Sequence, residues 1–176
     1  GEKMTIQSIV KEVSEKYCIP YTIGRGYASL DPRYKLLQRF KKSGKENLII
    51  LFLSDFDPDG EEIAHSFARS LRDDFNIENI HPVKVALSSD QVKQFGLPPK
   101  LKAKKTSSNY KKFSDKHGTN VWELEALPPE QLREELINTI DMVIDTEAFN
   151  RELAREKEDS AIILEKREKA LKALAG

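Results

Sequence analysis

The sequence predicts an α/β protein, with an open, mainly parallel sheet flanked by helices and a C-terminal helical extension. Three observations carry this expectation. Leu48-Ile-Ile-Leu-Phe-Leu53 is apolar at every position, the pattern of a strand buried on both faces. Val83–Leu87 reads as a second buried strand. Between them, from Asp59 to about Phe75, Ile63, Ala64, Phe67, Ala68 and Leu71 recur at helical spacing. Strand, helix and strand in that order form the repeating unit of parallel sheets.

The remaining elements follow in chain order. Ile6, Ile9, Val10, Val13 and Tyr17 fall on one face of a helix over Thr5–Tyr17, which Pro20 ends. Tyr21-Thr-Ile is expected as a short strand running into Gly24-Arg-Gly26. Ser29 or Asp31 caps a second helix reaching Phe40, with Pro32 in its first turn. Ser88 or Ser89 caps a short helix that stops at Gly96-Leu-Pro-Pro. Residues 100–120 are Lys/Ser/Asn-rich and aperiodic, so a mobile loop is expected there, with Val121–Leu124 returning as an edge strand. Pro129 starts a helix to about Ile144, and residues 146–174 form a charged helix with sparse apolar positions.

Composition bounds the function. The chain has 176 residues, enough for one α/β domain with a real core. Lys+Arg and Asp+Glu are 29 each, so any nucleic acid must be met by a local patch and not by an overall basic field. The single cysteine, Cys18, cannot form an internal disulfide, which fits an intracellular compartment, in cytoplasm, nucleoid or nucleus. No apolar run approaches the ~18 residues of a membrane span. Gly1 in place of an initiator Met is expected of a processed chain, a domain fragment or a tag scar.

The segment that carries chemistry is Ser54-Asp-Phe-Asp-Pro-Asp-Gly60. Asp55, Asp57 and Asp59 alternate at the carboxyl end of a buried strand, where open α/β sheets place their ligands. Clustered carboxylates repel one another unless a hard divalent cation neutralises them through oxygen coordination. The plainer reading is a helix N-cap, but a cap needs one carboxylate and not three. An EF-hand loop opens similarly, yet its twelfth position would be Ser66 instead of Glu, and a strand precedes it. A haloacid-dehalogenase-type phosphatase lacks its small hydroxyl residue here, since Pro58 and Asp59 follow Asp57.

The order of features over roughly residues 2–145 resembles a Toprim domain. It is most similar to that of the topoisomerase VI A subunit and the meiotic double-strand-break transesterases. The likeness rests on Glu2-Lys3, Tyr-Cys-Ile-Pro20, Gly24-Arg-Gly-Tyr-Ala-Ser29, Asp55-Phe-Asp-Pro-Asp-Gly60, Gln-Phe-Gly-Leu-Pro-Pro99 and Trp-Glu-Leu-Glu-Ala-Leu127. It implies a Toprim domain over 1–127, lacking the strand that should precede Glu2, and a helical extension over 128–176. It implies Mg²⁺, or Mn²⁺, held by Glu2, Asp55, Asp57 and Asp59, with Glu2, Asp55 and Asp57 catalytic, in DNA strand cleavage or transesterification. A Toprim nuclease using metal-activated water, or a non-catalytic domain that binds nucleic acid, are the alternatives. DNA is the partner implied, with RNA also open, and a homodimer, further domains or an ATPase subunit beside it.

That family takes its nucleophilic tyrosine from an upstream domain, and none of Tyr17, Tyr21, Tyr27, Tyr34 or Tyr110 has that context, so no nucleophile is assigned. For phosphate contacts the candidates are Arg25, in the glycine-flanked turn, and Lys102, Lys104, Lys105, Lys111 and Lys112 in the basic segment. A solubilising surface loop explains the same lysines. His65 reads as a helix-surface histidine, and His81 and His117 carry no specific signal.

Overall fold

The structure, a computed structural model, describes residues 2–24 and 30–175, and the side chains at 2–5, 30, 31 and 175 lie outside that description. Arg25, Tyr27 and Ser29 fall outside it altogether, as does the side chain of Glu2. The chain divides into two compact units, residues 1–139 and 140–176.

In the first unit, helix α1 (Glu2–Lys16) buries Ile9 and Val13, and Tyr17 is buried in the turn just after it; all three are positions whose spacing predicts the helix. The expected strand at Tyr21-Thr-Ile does not form. Residues 21–24 are exposed and carry no regular structure, having no neighbouring backbone to pair with among the described residues. Helix α2 (Leu30–Ser43) includes Pro32 in its first turn, where no intrahelical N–H is needed.

Strand β1 (Leu48–Leu53) pairs in parallel with β2 (Ile80–Ala86), and helix α3 (Pro58–Phe75) makes the crossover between them. Leu48 lies opposite Ile80 and Phe52 opposite Lys84, after which the register shifts so that Leu53 meets Ala86. Leu37, Leu71 and Ile77 form a buried cluster beneath this unit, with Phe40, Ile50 and Phe67 packed against it. Apolar burial of that kind is what holds a short parallel pair together, since parallel ladders are marginally the weaker.

Ser88 caps helix α4 (Ser89–Gln94) in a reciprocal capping box with Gln91. The Gln91 amide also donates to Val85 O at 2.8 Å and to Glu135 Oε2 at 2.7 Å, which accounts for its burial.

The segment expected as a loop is folded. β3 (Leu101–Lys102) pairs antiparallel with β4 (Asn120–Val121), and helix α5 (Tyr110–His117) lies between them. Phe113 of α5 is 3% exposed. One buried aromatic, with hydrogen bonds to neighbouring elements, orders a stretch whose own sequence has no period.

A 3₁₀ turn (Leu124–Ala126) packs near α1 and precedes helix α6 (Pro129–Val143). Helix α7 (Thr146–Ala175) belongs to the second unit, and Ile162, Ile163, Leu164, Leu171 and Leu174 along it are exposed. The molecule is therefore α/β, with a small parallel pair and an antiparallel pair. No helix among the described residues is long and apolar enough to cross a membrane.

Candidate metal centre and its surroundings

The acidic turn lies between the end of β1 and the start of α3. Each of its carboxylates has a separate partner. Asp57 is the N-cap of α3, its Oδ1 accepting from the Gly60 N–H at 2.6 Å. Pro58 follows at the first helical position, pre-set for helical φ. Asp55 Oδ1 accepts from the Leu124 N–H at 2.8 Å. Asp59 Oδ1 accepts from Ser107 Oγ at 2.8 Å and from Asn109 Nδ2 at 3.2 Å. Asp55 and Asp57 are half-buried, while Asp59 is exposed.

The turn is tight as well as acidic. A Cβ on Gly60 would stand 2.1 Å from the Asp55 carbonyl oxygen, so only glycine lets these two backbones approach. Ser54 Oγ donates to Gly60 O at 3.0 Å, closing the turn from the strand side. Phe56, between the first two aspartates, points inward and is 3% exposed. Its backbone exchanges both hydrogen bonds with Trp122, at 2.8 and 3.1 Å. Its ring stacks on Trp122 and meets Phe113 and His117 at 5.2 and 5.0 Å between centroids. Phe56 is thus buried between two half-buried aspartates, Asp55 and Asp57, whose carboxylates turn to separate backbone donors.

Lys84 is the residue that sequence reasoning missed. From β2 its ammonium donates to Asp55 O at 3.2 Å, to Gly60 O at 3.4 Å and to the Glu61 carboxylate. The signal was present, because a single cation inside the apolar run Val83–Leu87 must find partners. His117 is also brought in. Its Nε2 lies 3.8 Å from Glu61 Oε2, against Phe56 and Phe113. Burial holds its imidazole below the ordinary histidine value; Glu61 opposes this, and Lys116, Lys84 and Lys93 add to it. A cleft of about 100 Å³ opens here between α3 and α5, lined among others by Pro58, Glu61, His65, Lys112 and His117. His65 is exposed at its rim, as its helical position implies.

The basic residues divide. Lys112 forms an ion pair with Glu62 that holds the Glu62 carboxyl below its usual value. Lys102 donates to Asn120 Oδ1 at 2.6 Å and lies 3.4 Å from Thr119 Oγ1. Lys104, Lys105 and Lys111 are exposed. Among the tyrosines, Tyr17 is buried, Tyr21 and Tyr34 are exposed, and Tyr110 begins α5.

Do these residues suit a divalent cation? The donors are hard carboxylate oxygens, and each aspartate engages only Oδ1, so Oδ2 makes no hydrogen bond among the described residues. Mg²⁺ commonly takes one or two carboxylates, completing its shell with water and substrate phosphate. Asp55 and Asp57 supply two carboxylates of that kind. A cage of three or more acidic, histidine or cysteine ligands is not formed among the described residues, whose side chains exclude Glu2. Compared with family models, with curated proteins and with solved structures, the chain finds no match.

Proposed function

We propose that the chain is a Toprim-type module of the topoisomerase VI A kind, acting on DNA phosphodiesters with Mg²⁺, or Mn²⁺, at the acidic turn. The observation that carries this reading is the union of turn and fold. A tight, glycine-dependent turn presents Asp55 and Asp57 at the carboxyl end of a parallel strand, each with one oxygen uncommitted to hydrogen bonding among the described residues. Asp55 and Asp57 would hold the ion, with Asp59 and Glu2 as further candidates. Bound Mg²⁺ supplies neutralisation of the charge that develops on phosphoryl oxygens.

The protein's own residues do the rest. Leu124 N–H fixes the Asp55 carboxylate, and the Gly60 N–H fixes that of Asp57. Both donors are backbone groups and cannot be displaced by a rotamer change. Lys104, Lys105 and Lys111 stand exposed on the segment that Asp59 holds against the turn, so a bound polynucleotide would meet them beside the ion. Whether the attacking group is water or a hydroxyl of another domain separates nuclease from transesterase.

A non-catalytic nucleic-acid-binding module is the second reading. Its specific support is that every aspartate of the turn already has a structural hydrogen bond. The two readings differ in metal dependence. Binding of a short DNA duplex, followed by fluorescence anisotropy, is expected to strengthen with Mg²⁺ over EDTA and to weaken steeply with salt. Replacing Lys104 and Lys105 by Ala should make the slope of log K against log salt shallower by about two. Affinity that is identical in Mg²⁺ and EDTA would favour the non-catalytic module, and an unchanged salt slope would remove these lysines from the footprint.

A further inference from the structure

We propose that Lys84 is a positioning residue, a built-in counter-cation that shapes the acidic turn before any divalent ion arrives. An ammonium has three donor hydrogens and no acceptor. Lys84 meets three oxygens: Asp55 O, Gly60 O and Glu61 Oε1. The two carbonyls belong to opposite arms of the turn, so one cation ties its entry to its exit. The side chain is 18% exposed, and the charge also lies 5.8 Å from the centroid of the buried Phe56 ring.

Consider the turn without this charge. The Asp55 and Gly60 carbonyls would present their negative ends to the same space, beside the Glu61 carboxylate and in a turn that also carries Asp55, Asp57 and Asp59. Like charges that close oppose the fold; Gly60 O would keep its bond from Ser54 Oγ, but the half-buried Asp55 carbonyl would lose its Lys84 donor and is penalised further. Many acidic loops are relieved only by their metal, and then metal binding and folding are one event. A lysine anchored in the neighbouring strand uncouples them. Its position in the chain fits the task, since Lys84 pairs with Phe52 immediately before the register shift that leads into the turn.

The role depends on charge and not on filling space, which the Lys84→Met variant isolates because it retains the length of the side chain. Urea unfolding of the full chain is compared in EDTA, in Mg²⁺ and in NaCl of matched ionic strength. In EDTA the midpoint of Lys84→Met should fall by about 1 M, the size expected for losing a charge-assisted hydrogen bond. Lys84→Arg should recover most of it. Mg²⁺ should raise the Met variant more than it raises the wild type, and NaCl should not. Equal midpoints for wild type and Lys84→Met in EDTA, or an Arg variant as weak as the Met variant, would overturn the proposal. The Mg²⁺ arm rests on the metal reading above and the EDTA arm does not. A midpoint lost in Met, restored in Arg and untouched by Mg²⁺ therefore upholds Lys84 while counting against the metal. If Lys84→Met does not fold, Lys84→Gln, which keeps donors but no charge, is read by the same outcomes.

Discussion

The acidic turn and the basic segment at 101–121 meet in the first unit, but they are built in opposite ways. The turn takes its cap and closure from its own sequence, with Lys84 and Leu124 added from elsewhere: Asp57 caps α3 by accepting from Gly60, Pro58 opens the helix, and Ser54 closes on Gly60. The basic segment borrows its order. Ser107 and Asn109 hang on Asp59, Lys112 pairs with Glu62, His117 approaches Glu61, and Phe113 buries its ring against Phe56. Local devices can be read from spacing, whereas borrowed order cannot. A lysine-rich stretch without period looks like a loop until its neighbour is known.

The contrast can be broken at the residue both regions share. Phe56→Ala removes a buried ring that touches Phe113, His117 and Trp122, and should cost about 3–5 kcal/mol in denaturant unfolding. A cost below about 1 kcal/mol would mean that the two regions do not share a core. Local construction of the turn is tested next by Asp57→Ala, expected to cost about 1 kcal/mol through loss of the cap. Asp57→Asn should cost only a few tenths, because Asn caps as well as Asp. Equal losses in the two variants would remove capping as the explanation.

Two smaller effects sharpen the borrowed side. The His117 imidazole is held below its ordinary value by burial. The unfolded chain therefore takes up the proton first as pH falls, and stability drops below about pH 6.5. His117→Gln should flatten that decline between neutral pH and pH 5 and leave stability above pH 7 little changed. A decline of equal slope in both proteins would locate the acid sensitivity elsewhere. The smallest effect belongs to Lys112, whose side chain is 73% exposed, so Lys112→Ala should cost less than about 1 kcal/mol and less still in high salt.

The same division explains what was legible in the sequence. The apolar run 48–53, the helix to Phe75, the Ser88 cap and the helix opening at Pro129 follow from period and end signals, and they form close to where those signals put them. The strand at Tyr21 does not form, since a strand needs a partner and its own sequence cannot provide one. Asp55 and Asp57 stood out as carboxylates, but their hydrogen-bond partners, Leu124 and Gly60, did not. Leu124 lies 69 residues away and acts through its backbone, which leaves no mark on residue type. Lys84 and His117 matter through the turn they reach. Lys84 was marked only by its charge within an apolar strand, and His117 by nothing local.

The central claim is that Asp57 carries two separable duties, capping α3 and holding a divalent cation. The direct measurement is Mn²⁺ titration by calorimetry of wild type and Asp57→Asn, with the urea midpoint of each taken in EDTA. The account predicts saturable binding in wild type, its loss in Asp57→Asn, and midpoints that agree, because Asn preserves the cap. Mn²⁺ binding equal in the two proteins, or absent from both, would contradict the metal centre and leave the turn as a cap alone.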